Sequence, residues 1–91
     1  MDDKLTEVVV YGKEGCHLCE KVIAALERIR VEKPLEVSTR DITTNPQLFE
    51  RYKNIIPVVE VNGKIRLAGS TLANQQTLEN VLRRTLLPQH P

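Results

Sequence analysis

The run Val8-Val9-Val10-Tyr11 is apolar, largely β-branched and continuous, the pattern of a strand covered on both faces. It breaks at Gly12 and Gly15, and a helical stripe of Leu18, Val22, Leu26 and Ile29 follows at once, widened by Ile23 and Ala25. A buried strand feeding directly into an amphipathic helix points to a layered α/β fold, because both apolar surfaces must find cover. The only two cysteines of the chain stand at this junction, as Cys16-His17-Leu18-Cys19.

The helix is expected from His17 to about Glu32, with Arg28, Arg30 and Lys33 suiting its C-terminal dipole and Pro34 stopping it. Leu35 to Asp41 alternates as a second strand. Thr43-Thr44-Asn45-Pro46 reads as a helix start, Asn45 capping and Pro46 taking the first helical position. Leu48, Phe49 and Tyr52 give that short helix one apolar side. Ile55 to Val61 is expected as a third strand with Pro57 inside it, and Asn62-Gly63 as a tight hairpin turn.

Lys64 to Ala68 then returns as a fourth strand, Lys64 and Arg66 protecting an edge. Gly69-Ser70-Thr71 leads into a last helix with the stripe Leu72, Leu78, Val81, Leu82 and Leu86. Pro88 to Pro91 reads as a flexible tail. The expected order is β-α-β-α-β-β-α: strands one and two parallel through a right-handed crossover, the hairpin completing a mixed four-stranded sheet with helices on both faces.

Ninety-one residues suffice for one domain, taken as 1–91, and not for two. A net charge of +1 gives no field that would draw nucleic acid or a membrane surface, and one Phe, two Tyr and no Trp offer no base-stacking platform. No apolar run nears the roughly 18 to 20 residues of a membrane span, and Met1-Asp2-Asp3-Lys4 does not open a secretory signal. Two cysteines three positions apart close too short a loop to staple a fold. Together these features predict a cytoplasmic, monomeric protein whose cysteine pair has a catalytic or metal-binding role.

A thiolate is the working species of sulfur chemistry, and a helix N-terminus favours one. Cys16 would sit there, with Lys13 three residues before it. CxxC nucleophiles in such settings have pKa values of about 3.5 to 7.5. Cys19, one turn deeper on the same helix face, would resolve the mixed disulfide that Cys16 forms. Zinc is the alternative for a CxxC, but it needs four ligands and only His17 and His90 could add nitrogen. Pro57 is the second informative residue: in an apolar strand it donates nothing to a ladder. At the strand's first position, with a cis Ile56-Pro57 bond, it would leave the Ile56 backbone to pair with an extended thiol peptide.

These landmarks carry a resemblance. Tyr11, Lys13, Cys16 and Cys19, then Ile56-Pro57-Val58, then Asn62-Gly63-Lys64, are similar to a glutaredoxin of the thioredoxin-like superfamily. Cys-His-Leu-Cys-Glu, Asp41-Ile42-Thr43-Thr44-Asn45-Pro46 and Tyr52 most resemble the small glutaredoxin-like proteins of bacteria and archaea, over about residues 5 to 87. The resemblance implies a thioredoxin-like fold with sheet order 2-1-3-4, a cis Pro57, Cys16 as nucleophile and Cys19 as resolving residue. It implies a thiol–disulfide oxidoreductase acting on protein or small-molecule disulfides, with Tyr11, Lys13, Ile56, Pro57, Gly69 and Ser70 around the substrate. No resident cofactor is implied; the electron donor is glutathione or a reductase. The chain departs from glutaredoxins in having His17-Leu18 between the cysteines in place of Pro-Tyr. It also has Ala68-Gly69-Ser70-Thr71-Leu72 where a Gly-Gly pair and an Asp usually hold glutathione. Two rival expectations use the same fold: a redox-inert binding module, and a metal or iron–sulfur carrier.

Overall fold

The computed structural model describes residues 5–69 and 75–87. Strand β1 (Thr6–Gly12) leads through a short turn into helix α1 (His17–Ile29), which returns to β2 (Leu35–Asp41). A 3-10 turn (Ile42–Thr44) and helix α2 (Pro46–Tyr52) precede the hairpin of β3 (Val58–Val61) and β4 (Lys64–Leu67), and α3 (Gln75–Leu86) closes the order. The sheet runs β2-β1-β3-β4, with β1 parallel to β2 and antiparallel to β3. This is the mixed α/β sheet expected from the sequence.

Alternation along the strands sorts the core into two layers. Val8 and Val10 of β1, Val59 and Val61 of β3 and Leu67 of β4 pack with Val22, Leu26 and Ile29 of α1 and with Leu78, Leu82 and Leu86 of α3. On the opposite face Tyr11, Ile56 and Val58 meet Ile42, Leu48, Phe49 and Tyr52. The helices therefore cover both faces. Leu78, Leu82 and Leu86 follow each other at four-residue steps, so α3 shows the sheet one narrow stripe. Leu72, Ser70 and the 88–91 tail lie outside the described residues.

Local chemistry explains the boundaries. The Asn45 side chain accepts from the N–H groups of Gln47 and Leu48, at 2.9 and 3.2 Å, with Pro46 in the first turn. Asn62 and Gly63 both have positive φ, 51° and 87°, as a tight hairpin with a primed turn requires. Two elements differ from expectation. Helix α1 ends at Ile29, not near Glu32, and Pro34 is not its stop. Val31 is exposed and gives the stripe no further anchor, while Glu32 and Lys33 N–H groups both return to the Ile29 carbonyl in a turn that sends Leu35 onto the sheet. Strand β3 begins at Val58, so Ile55 to Pro57 precede the strand: Ile55 N–H closes a turn on Tyr52 O, and Pro57 has no N–H for the ladder.

Arg28 stands in the last turn of α1, as the dipole favours, and its guanidinium also reaches α3. Arg28 donates to Glu79 at 2.5 Å, Glu79 accepts from Arg83 at 3.2 Å, and Arg83 donates to Glu32 at 2.7 Å. This chain of four charges fastens the C-terminal part of α1 to α3.

Candidate active site

Topology brings the chemistry to one end of the sheet. Gly12 ends β1 beside Asp41 at the end of β2, and Tyr11 lies opposite Val58 at the start of β3. The N-terminus of α1, the Ile56-Pro57 step and the exit of β4 therefore share that end.

After Gly12 the chain turns tightly. Gly15 takes a φ of 82°, where a side chain would be strained, and the Cys16 N–H donates to Lys13 O at 3.3 Å. Cys16 is the N-cap residue of α1, with extended φ and ψ of −91° and 103°. Its sulfur accepts from the Cys19 N–H at 3.1 Å, the contact a serine or aspartate oxygen makes at an ordinary N-cap. Its carbonyl accepts the first helical hydrogen bond, from Glu20. Cys16 and Cys19 are joined in a disulfide, with α-carbons 5.2 Å apart. Cys16 is half-buried; Cys19 is only 5% exposed.

That asymmetry has a backbone cause. A Cβ placed on Gly12 would come 2.7 Å from the Cys19 sulfur, so the missing side chain is what lets α1 sit this deep. A cavity of about 400 Å³, not foreseen from the sequence, lies on the same side, lined by Gly12, Cys19, Val10, Ile23, Thr39 and Arg40 among others. Its only sequence signal is Gly12 at a strand end.

Lys13 is exposed and also lines this cavity. His17 stands 89% exposed, its Nδ1 3.8 Å from a Glu20 carboxylate oxygen. Asp41 uses its carboxylate locally: Oδ1 accepts from the Thr43 hydroxyl and N–H, which hold its pKa below the ordinary range. Tyr11 projects from the other face of the sheet, toward α2. Its ring lies 5.0 Å from Tyr52, and its hydroxyl donates to Glu60 at 3.2 Å. Burial, then the Glu60 charge, pushes its pKa up. Arg51 and Lys53 are occupied at the surface of α2, over the rings of Tyr52 and Phe49.

The Ile56-Pro57 peptide bond is cis. Gly69, expected beside the substrate, donates its N–H to Ile55 O at 2.8 Å. Ser70 falls outside the described residues. Among the described residues no group of three or more His, Cys, Asp or Glu side chains is placed to hold a metal ion.

The family model of the Glutaredoxin-like domain (DUF836) matches residues 7–85. The chain belongs to that family. Among solved structures, this glutaredoxin-like domain is similar to the solution NMR structure of protein Ne2328 from Nitrosomonas europaea. Identity is 32% and the TM-score 0.67, over 72% of this chain and 80% of that one. The thioredoxin-like fold of the domain stands on its own sheet order and on that likeness. No curated protein matches the chain. No helix among the described residues is long and apolar enough to cross a membrane.

Proposed function

We propose that this glutaredoxin-like domain is a thiol–disulfide oxidoreductase that cycles Cys16 and Cys19 between dithiol and disulfide. The observation that carries the reading is the Cys16 sulfur at the cap of α1, accepting the Cys19 N–H and bonded to a buried partner. A hydrogen bond to the charged form and the positive end of a helix both favour a thiolate.

In the forward direction the Cys16 thiolate attacks one sulfur of a substrate disulfide. A Cys16–substrate disulfide forms, and the other substrate sulfur leaves as a thiolate. Cys19, having lost its proton, then attacks the Cys16 sulfur, closes the internal disulfide and expels the second substrate thiolate. Two electrons have passed from the cysteine pair to the substrate, and an external thiol donor returns them. On return a donor thiolate attacks the more accessible Cys16 sulfur and Cys19 leaves. A second donor thiolate then attacks the donor sulfur of that mixed disulfide and Cys16 leaves, a step its N-terminal position favours because lower-pKa thiols leave faster.

Substrates are protein or small-molecule disulfides, and the setting is the cytoplasm, where a lone CxxC is kept reducible. For the donor we favour a reductase over glutathione. The acid of the usual glutathione site is missing from the Ala68 to Leu72 stretch, and the Gly69 N–H is already taken by Ile55. Cys16→Ser should abolish reduction of a model disulfide, and Cys19→Ser should stop at a mixed disulfide visible as a mass adduct. Full activity in Cys16→Ser would refute the reading.

A further inference from the structure

Gly69 is buried against the main chain of the Ile55-Ile56 segment, and its N–H bonds to Ile55 O at 2.8 Å. A Cβ built on it would overlap Ile56 O and stand 3.0 Å from Ile55 O. These obstacles are carbonyls, with no side-chain torsion to relieve them. Positive φ among the glycines belongs to Gly15 and Gly63, so Gly69 is required here by close approach, not by a special backbone conformation.

We propose that Gly69 is a positioning residue for peptide substrates: it clamps the main chain of Ile55 and Ile56 and fixes the edge on which an extended disulfide peptide pairs. This rests on the oxidoreductase reading of Cys16. Ile56 stands two residues before Val58, the first residue of β3 paired with β1, so among the described residues its peptide group takes no part in the strand pairing. A main-chain edge recognises another main chain through hydrogen bonds confined to about 2.7 to 3.2 Å. A methyl group at position 69 must push the Ile56 carbonyl out of that range. A small disulfide with no peptide backbone does not use the edge and is indifferent to the shift. Gly69 thereby separates peptide disulfides from small ones, without touching either sulfur.

The test is single turnover. Reduced protein is mixed with increasing concentrations of a disulfide-containing decapeptide or of 2-hydroxyethyl disulfide, and the remaining protein thiols are counted after acid quench. In Gly69→Ala the half-saturating peptide concentration should rise about tenfold, the scale of one or two main-chain hydrogen bonds, with the maximal rate kept. The rate with 2-hydroxyethyl disulfide should change by less than about twofold. An unchanged peptide response, or an equal loss with both disulfides, would overturn the proposal. A second measurement needs no variant: the Gly69 amide of the unaltered protein should resist hydrogen exchange, and exchange at the free-peptide rate would also overturn it. If the unaltered protein reacts with neither disulfide, the oxidoreductase reading itself fails, and that result is visible before any substitution is made.

Discussion

Gly12 and Cys19 touch across the interface of β1 and α1, with the glycine α-carbon where a methyl group would come 2.7 Å from the sulfur. The depth of Cys19, the resolving cysteine in the proposed cycle, is set by this contact. Gly12→Ala should therefore destabilise the fold by about 1 to 3 kcal/mol, as overpacking does, measured by urea unfolding. In activity it should slow resolution more than attack, so that the Cys16 mixed disulfide accumulates in quenched samples. Wild-type kinetics would show that α1 rides over the extra methyl group.

Cys16 caps α1 as well as being the proposed nucleophile. In reduced protein, Cys16→Ser should keep stability within about 0.5 kcal/mol, because a hydroxyl oxygen takes over the Cys19 N–H. Cys16→Ala should lose about 1 kcal/mol. Both should be inactive. Equal stabilities would show that the sulfur contributes nothing as a cap.

These two roles were unequally legible. The cap position of Cys16 followed from strand pattern, glycines and helical stripe, all local signals. The Gly12 contact joins two elements packed face to face, and no periodicity records it. The same division runs through the rest of the chain. Asn45-Pro46 and Asn62-Gly63 announce themselves because one side chain or one dihedral decides each. Arg28 did not, because its partner Glu79 lies 51 residues away. Tyr11 stood next to the motif in sequence, yet strand alternation turns it to the α2 face. Gly69 marks the exit of β4 in the sequence, but the bond from its N–H to the Ile55 carbonyl joins positions that no local pattern connects.

Asn62 joins the hairpin turn to the start of β1. Its Oδ1 accepts from Glu7 N–H at 2.9 Å, and its own N–H donates to Glu7 O at 2.8 Å. Asn62→Gly should relieve the left-handed φ yet lose net stability, by about 0.5 to 1 kcal/mol, since one hydrogen bond disappears. Gly63→Ala, at a φ of 87°, should cost about 1 to 2 kcal/mol. Thermal melts of the two variants separate side-chain bonding from backbone freedom.

Acid should loosen the link between α1 and α3. Hydrogen bonds from Arg28, then Arg83, hold Glu79 below its ordinary 4.5, and Thr43 holds Asp41 below 3.8. Groups with depressed folded pKa values stabilise above the unfolded value and lose that contribution as pH falls through the folded one. Melting temperature should thus be flat above about pH 5 and fall beneath it. Glu79→Gln should shrink the slope, and added salt should do the same in the unaltered protein. At the alkaline end Tyr11 has the opposite sign. Its raised pKa contributes below 10 and is lost as the phenol ionises above it.

Both contacts that set the two sides of the site, Gly12 under Cys19 and Gly69 against Ile55 and Ile56, present glycine backbone with no side chain of its own. The exposed residues nearby, Lys13, Glu14, His17, Glu20 and Lys21, have no share in those contacts. The domain is therefore a chassis with an exchangeable coat. A library randomised at these five positions would repaint charge and bulk around the sulfurs while leaving the frame that seats them intact.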